Sequence, residues 1–234
     1  MPRPWTRFES VDVAKFSWLG AHRSRWDILR RTQPHPALAN GLRLRLRCGS
    51  TTAGQMTDDK VVFSVPWFDV LARNMDGSAS PYYVIRTCDY VTVLASTREG
   101  ALLLVRQFRP AVAGKTLELP SGHVEEGELP EAAARRELAE ETGYEAERFE
   151  LLGTLAPDPG RQGNRLWCFY APGATQIRSP VVREEGVELV RCEQRDLIRF
   201  LKNGEIDHAA NLAVVLLATL KGHFSADFAA QSKG

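Results

Sequence analysis

The sequence predicts a mixed sandwich of strands and helices, of the α+β or α/β class. Three observations carry this: β-rich runs follow one another from Val61 to Arg109, one acidic helix stands between strands at about Pro130 to Thr142, and helical stretches close the chain from Asp196 onward. Strands interrupted by one helix and followed by others bury their apolar faces only when stacked in layers.

The elements follow in order. Residues 1–55 show no sustained helical or strand period and carry Pro2, Pro4, Pro34 and Pro36 with isolated Trp5, Trp18 and Trp26. They are expected to form a basic, poorly ordered extension. Within it, the alternating Leu42 to Arg47 run is open to reading as an edge strand, and the Arg-rich, acid-poor composition as an organellar presequence. A further reading makes Met56 the natural start, because coherent patterning begins just after it. Strand-like runs then cover Val61 to Ala72, Tyr82 to Thr97 and Ala101 to Arg109, with Asp76-Gly77 as a hairpin signal and Arg98-Glu99-Gly100 as a turn. Thr116 to Leu119 reads as a short strand before Pro120. In the helix, Pro130 suits the first turn, where its missing N–H costs nothing, and Gly143 suits the C-terminal cap. Strands return at Glu150 to Leu155, Leu166 to Tyr170 and Val187 to Cys192, followed by a short helix near Asp196 to Lys202 and an apolar helix from about Asp207 to Lys221. The resulting division is 1–55 extension, 56–81 N-terminal β segment, 82–221 main domain and 222–234 tail.

Composition excludes several classes. With 234 residues, 44% hydrophobic and 25% charged, the chain has the make-up of a globular protein with a sizeable core. The balance of 30 Lys+Arg against 29 Asp+Glu gives a net charge of +1 and no case for nucleic acid or an acidic membrane. That neutrality is a sum of unlike parts: residues 1–55 hold ten basic and three acidic residues, net +7, which leaves 20 against 26, net −6, in 56–234. Cys48, Cys88, Cys168 and Cys192 form no CxxC pair, so neither a zinc site nor a dithiol motif is indicated. A reducing, cytoplasmic setting is expected. The longest apolar run, Leu212 to Leu220, is too short to span a bilayer.

The chemistry concentrates in Gly122 to Tyr144. On a helix, Glu137 and Glu141 stack one turn apart, and Glu140 flanks the same face. Like charges at that spacing repel, and a hard divalent cation such as Mg²⁺ removes the penalty, taking carboxylate oxygens and keeping several waters. Such an ion lowers the pKa of a water and offsets charge on phosphate oxygens. Gly122, after Pro120-Ser121, stands where a bend could aim the Ser121 carbonyl at the same metal. Gly127 lets the loop turn ahead of the helix. Arg136 reads as a brace that holds a carboxylate. Glu/Arg-rich helices are commonly solvated faces, but here Gly122, Glu128, Gly143, an apolar Leu138 and an apolar Tyr144 must all fall at fixed offsets as well.

The stretch resembles the Nudix box, GX5EX7REUXEEXGU with U a bulky apolar residue, at every specified position. The resemblance implies a Nudix fold, an α/β/α sandwich with a mixed sheet over roughly Tyr82 to Lys221, preceded by a small N-terminal antiparallel sheet. It implies a hydrolase of nucleoside diphosphates linked to another moiety, with Mg²⁺ as cofactor and Mn²⁺ as a substitute. Carried over, Glu137, Glu140, Glu141 and the Ser121 carbonyl are implied metal ligands, and Gly122, Glu128, Arg136 and Gly143 shape the box.

Outside the box, Gln107-Phe108-Arg109, Leu117 to Gly122, Asp158-Pro159-Gly160 and Gly204 to Ala209 are similar to the ADP-ribose pyrophosphatase subgroup. This implies hydrolysis of ADP-ribose or a related ADP-sugar to AMP and a sugar phosphate. Arg109 is a candidate phosphate ligand or a brace of the box loop, and Trp67 an adenine-stacking wall or core. Pro159 marks the subgroup loop. The same relatives imply a homodimer formed through the Val61 to Tyr83 stretch, with a small-molecule nucleotide sugar as partner. A loop glutamate serves them as base, and Arg183-Glu184-Glu185-Gly186 offers Glu185 first and Glu184 next. His123, at a variable box position, reads as an exposed loop residue. Alternatives are a Nudix hydrolase of another nucleotide sugar such as GDP-mannose, and a catalytically inactive nucleotide-binding module.

Overall fold

A computed structural model describes residues 59–178 and 184–224. The expectations for residues 1–55, including the Leu42 to Arg47 strand and the Met56 start, lie outside the described residues. All the described residues belong to the unit Leu44–Gly234.

The chain begins with β1 (Lys60–Val65), β2 (Phe68–Arg73) and β3 (Tyr82–Arg86), an antiparallel sheet of order β1-β2-β3. The single run expected over Val61 to Ala72 is a hairpin, broken at Pro66-Trp67, since proline supplies no N–H to a ladder. Asp69 binds the pair together, accepting from Ser64 Oγ at 2.6 Å and pairing with Arg86 at 2.6 Å. The β2–β3 connection turns at Asp76-Gly77, where Gly77 takes φ +77°. The small sheet therefore continues to Arg86, past the expected boundary at residue 81.

The run expected from Tyr82 to Thr97 is also two strands, in different sheets. Asp89 marks the break: its carboxylate accepts the Arg165 backbone N–H at 2.8 Å and the Trp167 indole N–H at 3.0 Å. The main eight-stranded sheet has order β11-β5-β4-β10-β8, with β6 on β5, β7 on β4 and β9 on β10. Its strands are β4 (Tyr90–Thr97), β5 (Leu102–Arg109), β6 (Gly114–Glu118), β7 (Ser121–His123), β8 (Tyr144–Glu145), β9 (Glu150–Leu155), β10 (Leu166–Gln176) and β11 (Glu188–Cys192). The β4–β10 pair is parallel and its neighbours antiparallel, so the sheet is mixed. Three helices cover it: α1 (Pro130–Thr142), α2 (Gln194–Lys202) and α3 (Ala209–Leu220).

Strand alternation explains the layers. Val91, Val93 and Ala95 of β4, with Leu103 of β5, point toward α1 and bury Ala133, Ala134 and Leu138. Leu94, Leu102 and Leu104 point the other way, against Leu197, Ile198, Val214 and Val215 of α2 and α3. The sheet is thus apolar on both faces with a helical layer on each, the α/β/α sandwich expected. The last described residues are packed: His223 stacks on Tyr170 with centroids 4.8 Å apart, and Phe224 is buried in the core. Residues 222–224 therefore continue the domain, where the sequence placed the start of a tail. Cys168 and Cys192 are free thiols, both buried. Among the described residues no helix is long and apolar enough to cross a membrane.

Candidate active site

Helix α1 starts at Pro130 and stops at Gly143, which takes φ +73° and donates its N–H to the Ala139 carbonyl at 2.8 Å. A side chain at that φ is strained, so glycine ends the helix and releases the chain into β8. Ahead of α1, Gly127 turns the loop at φ +80°. Glu128 then closes it, its carboxylate accepting the Glu125 N–H at 3.0 Å.

Arg136 is the hub of the box. Its Nε and Nη2 each donate to a Glu128 oxygen at 3.1 Å, Nη1 donates to Glu137 at 2.6 Å and Glu140 at 3.4 Å, and Nη2 also donates to the His123 carbonyl at 2.9 Å. The brace read from the sequence is therefore wider than one carboxylate, since it binds loop, β7 and helix together. Burial would raise the Glu128 carboxyl, but the Arg136 and Glu125 hydrogen bonds outweigh it and hold the group below its usual range.

Glu137 and Glu141 lie on the buried side of α1, 8% and 3% exposed, too little for water to solvate either carboxylate well. Burial pushes both upward. For Glu137 the Arg136 contact opposes this, while the charges of Glu140 and Glu184 add to it. Glu141 is pushed up to about 8 by burial, with Glu137 and Glu184 adding to the rise and the Ser121 N–H and Arg109 opposing it. That N–H donates to Glu141 Oε2 at 2.9 Å. Glu140 is half-exposed at the rim.

Gly122 has a reason that backbone freedom does not supply. Its φ is ordinary, but a Cβ there would overlap the Glu137 carboxylate. β7 thus passes directly over the side chain, and only glycine leaves it room. The fit to a divalent cation follows from this donor set. Among the described residues no three His, Cys, Asp or Glu side chains converge into a cage, and Mg²⁺ does not need one, since it uses one or two carboxylates and fills its octahedron with water and phosphate oxygens. Two buried carboxylates whose proton affinity burial and neighbouring glutamates raise, beside the backbone of Ser121, are a site whose excess negative charge a cation relieves.

Glu184, ahead of β11, lies beside the site. The Glu184 N–H donates to the Glu140 carbonyl at 3.1 Å, tying the loop to the last turn of α1. The charge of Glu184 acts on Glu137, Glu141 and Arg109. Glu185 is exposed, and its charge is not among the main influences on those groups. The structure therefore brings the second-ranked base candidate to the carboxylates and leaves the first outside them. Arg109, at the end of β5, is held by Glu118 of β6 through Nε at 3.0 Å and Nη2 at 2.7 Å. Glu118 is the group that sequence reasoning missed, although a lone glutamate in the otherwise uncharged Thr116-Leu117-Glu118-Leu119 was its signal.

Trp67 and Pro159 lie elsewhere in the described chain. Trp67, 49% exposed, sits in the β1–β2 turn and accepts the Thr87 hydroxyl through its carbonyl at 3.2 Å. Pro159 is exposed in a loop that docks on the small sheet: the Arg161 carbonyl accepts the Ile85 N–H at 2.8 Å, and the Gly160 carbonyl accepts the Tyr82 hydroxyl. His123 rests against Tyr90 with ring centroids 4.5 Å apart, and burial, then the Arg109 and Arg136 charges, lower its pKa.

Comparison with known proteins bears on the stretch of chain that holds this site. Residues 87–212 match the family model described as NUDIX domain, a span that contains α1 and both loops. The chain is 28% identical over 165 residues to the ADP-ribose pyrophosphatase of Bacillus subtilis, covering 68% of this chain and 89% of that protein. It is 52% identical over 79 residues to the ADP-sugar pyrophosphatase of Mus musculus, covering 32% of this chain and 36% of that one. The solved structure described as "Crystal structure of ADP compounds hydrolase" superposes with a TM-score of 0.61 at 20% identity, over 75% of this chain and 98% of that chain, and supports the fold.

Proposed function

The chain belongs to the NUDIX domain family, and on that premise we propose that it is a divalent-metal-dependent pyrophosphatase that hydrolyses ADP-ribose or a related ADP-sugar to AMP and a sugar phosphate. One observation carries the reading: two buried carboxylates one helical turn apart, Glu137 beneath Gly122 and Glu141 on the Ser121 N–H, lie among the charged groups Arg136, Glu140, Arg109 and Glu184.

Glu137, Glu141, Glu140 and the Ser121 carbonyl would hold Mg²⁺, with Mn²⁺ as a substitute. When bound, the ion supplies positive charge to the diphosphate oxygens and lowers the pKa of a water. The chain's own residues do the rest. Arg136 fixes Glu137 in one orientation, so the ligand geometry exists before substrate arrives. Arg109 places a permanent cation beside the acidic cluster, where it offsets charge on a phosphate. Glu184, joined to α1 through its backbone, is positioned to take the proton of the attacking water. The resemblance to ADP-ribose pyrophosphatases assigns the base to Glu185 first. The charge contacts favour Glu184.

The small sheet supports a homodimer. Val61, Val62 and Phe63 of β1 and Tyr83 of β3 are exposed apolar side chains that a second copy would cover. The test is a panel of ADP-ribose, ADP-glucose, GDP-mannose and diadenosine polyphosphates with Mg²⁺, with products identified. AMP and ribose 5-phosphate from ADP-ribose as the preferred reaction supports the proposal, and preferred cleavage of GDP-mannose contradicts it.

A further inference from the structure

The link between β6 and β7 carries the chain from one face of the sheet to the other. Leu119 packs in the core on the side of α2 and α3, with Leu197 and Val214. Two residues on, Ser121 donates its N–H to Glu141 of α1 at 2.9 Å, and Gly122 then passes over the Glu137 carboxylate. Pro120 between them offers no N–H. The stretch from Leu119 to Ser121 therefore has two backbone donors, and the second of them binds a candidate metal ligand.

The first donor is met from the side away from α1. The Leu119 N–H donates to Oδ1 of Asn211, in the first turn of α3, at 2.8 Å. Asn211 is 1% exposed, and its own N–H donates to the His208 carbonyl at 2.9 Å, so the side chain is set on a formed helical turn. Packing gives a poor account of an asparagine here. Its Nδ2 is buried with no partner among the described residues, a penalty that a leucine of similar size, also the better helix former, would avoid. What leucine lacks is the acceptor. A second hold comes from β4, where the Val93 N–H donates to the Pro120 carbonyl at 2.9 Å. A segment held at one point pivots about it, and one held at two does not.

Resting on the metal reading above, we propose that Asn211 is a positioning residue: through Oδ1 it fixes the crossing from Leu119 to Gly122, so that the Ser121 N–H meets Glu141 and the Ser121 carbonyl stays beside the metal-binding carboxylates. Asn211 acts from α3, outside the donor set, and its influence passes through the backbone. Pro120 transmits it, because its ring fixes φ and leaves the link one fewer soft torsion. Without the acceptor the Leu119 N–H is buried and unpaired, and the chain shifts to find it a partner, which disturbs the register at Ser121.

Two measurements on the full chain test this, with Asn211→Leu to remove the acceptor and Asn211→Asp to keep it. Amide hydrogen exchange followed by NMR in chelator is expected to show Ser121 exchanging on the order of tenfold faster in Asn211→Leu, beyond any change in the amides of β10, and near the parent rate in Asn211→Asp. Mn²⁺ binding, read by electron paramagnetic resonance of the free ion without substrate, is expected to weaken on the order of tenfold in Asn211→Leu and to stay within about threefold of the parent in Asn211→Asp. A merely structural asparagine would speed Ser121 and β10 alike and leave the Mn²⁺ affinity of the folded chain unchanged. Either of those results overturns the proposal, as does an Asn211→Asp chain that behaves like Asn211→Leu. If circular dichroism finds Asn211→Leu unfolded, Asn211→Ala replaces it. A parent that takes up no Mn²⁺ defeats the metal reading, and the exchange measurement, made without metal, then decides the role of Asn211 by itself.

Discussion

Glu141→Gln is expected to move stability and activity in opposite directions. In the metal-free folded chain the Glu141 carboxyl titrates near 8, chiefly because it is buried, against an ordinary value of 4.5 in the unfolded chain. The folded state therefore binds its proton more tightly. The stability this contributes is fully present below about pH 4.5 and is lost as pH rises through about 8. Over that window the loss amounts to about 3–5 kcal/mol. Glutamine does not titrate and still offers the Ser121 N–H an acceptor, so the variant escapes the loss. At pH 8 in chelator, Glu141→Gln is expected to melt on the order of 10 °C above the parent, and near pH 4.5 the two are expected to melt together. The assay is thermal unfolding of both chains from pH 4.5 to 8. With Mg²⁺ added the order reverses, because the parent gains a bound ion and the variant loses a ligand. Parallel melting curves across the whole pH range would refute the claim that a strained, buried carboxylate waits at this position.

Other outcomes follow from the same geometry. Gly122→Ala places a Cβ on the Glu137 carboxylate, which is buried and held by Arg136; displacing it is expected to lower the melting temperature by several degrees and turnover roughly 10²-fold, read by circular dichroism and steady-state kinetics. Glu184→Gln is expected to lower kcat about 10²-fold, with Glu185→Gln within a few-fold of the parent, and the reverse order would return the base to Glu185. Light scattering of the purified chain is expected to give the mass of a dimer, and Phe63→Lys, which charges the exposed face of β1, is expected to shift it toward a monomer.

What the sequence made legible was what short-range rules decide. The bounds of α1 follow from proline at its start and glycine at its end, and strands β4, β5, β9 and β11 from runs of apolar and β-branched residues between turn signals. The strand breaks at Pro66-Trp67 and Thr87 to Asp89 were harder to read. The second depends on Asp89 finding the Arg165 N–H and the Trp167 indole, far along the chain. The very short β7 and β8 exist only through their partners. At the site, helical spacing placed Glu137, Glu140 and Glu141 together, and Arg136 could be read as a brace. Which of Glu184 and Glu185 lies beside the carboxylates could not be read, since it turns on one backbone hydrogen bond to Glu140. Glu118 was hidden for a related reason: its significance lies in the cross-strand approach of Arg109, which no local pattern encodes.

The central claim is that Glu137 and Glu141 gather a divalent cation for diphosphate hydrolysis. Its most direct test is the turnover of ADP-ribose by the chelator-stripped chain as Mg²⁺ is titrated back, with Glu141→Gln alongside. A rate that is absent without metal, rises to saturation with Mg²⁺ in the parent and stays at least about 10²-fold lower in the variant is the expected result. Turnover that survives the chelator, or a variant that matches the parent at saturating Mg²⁺, would contradict it.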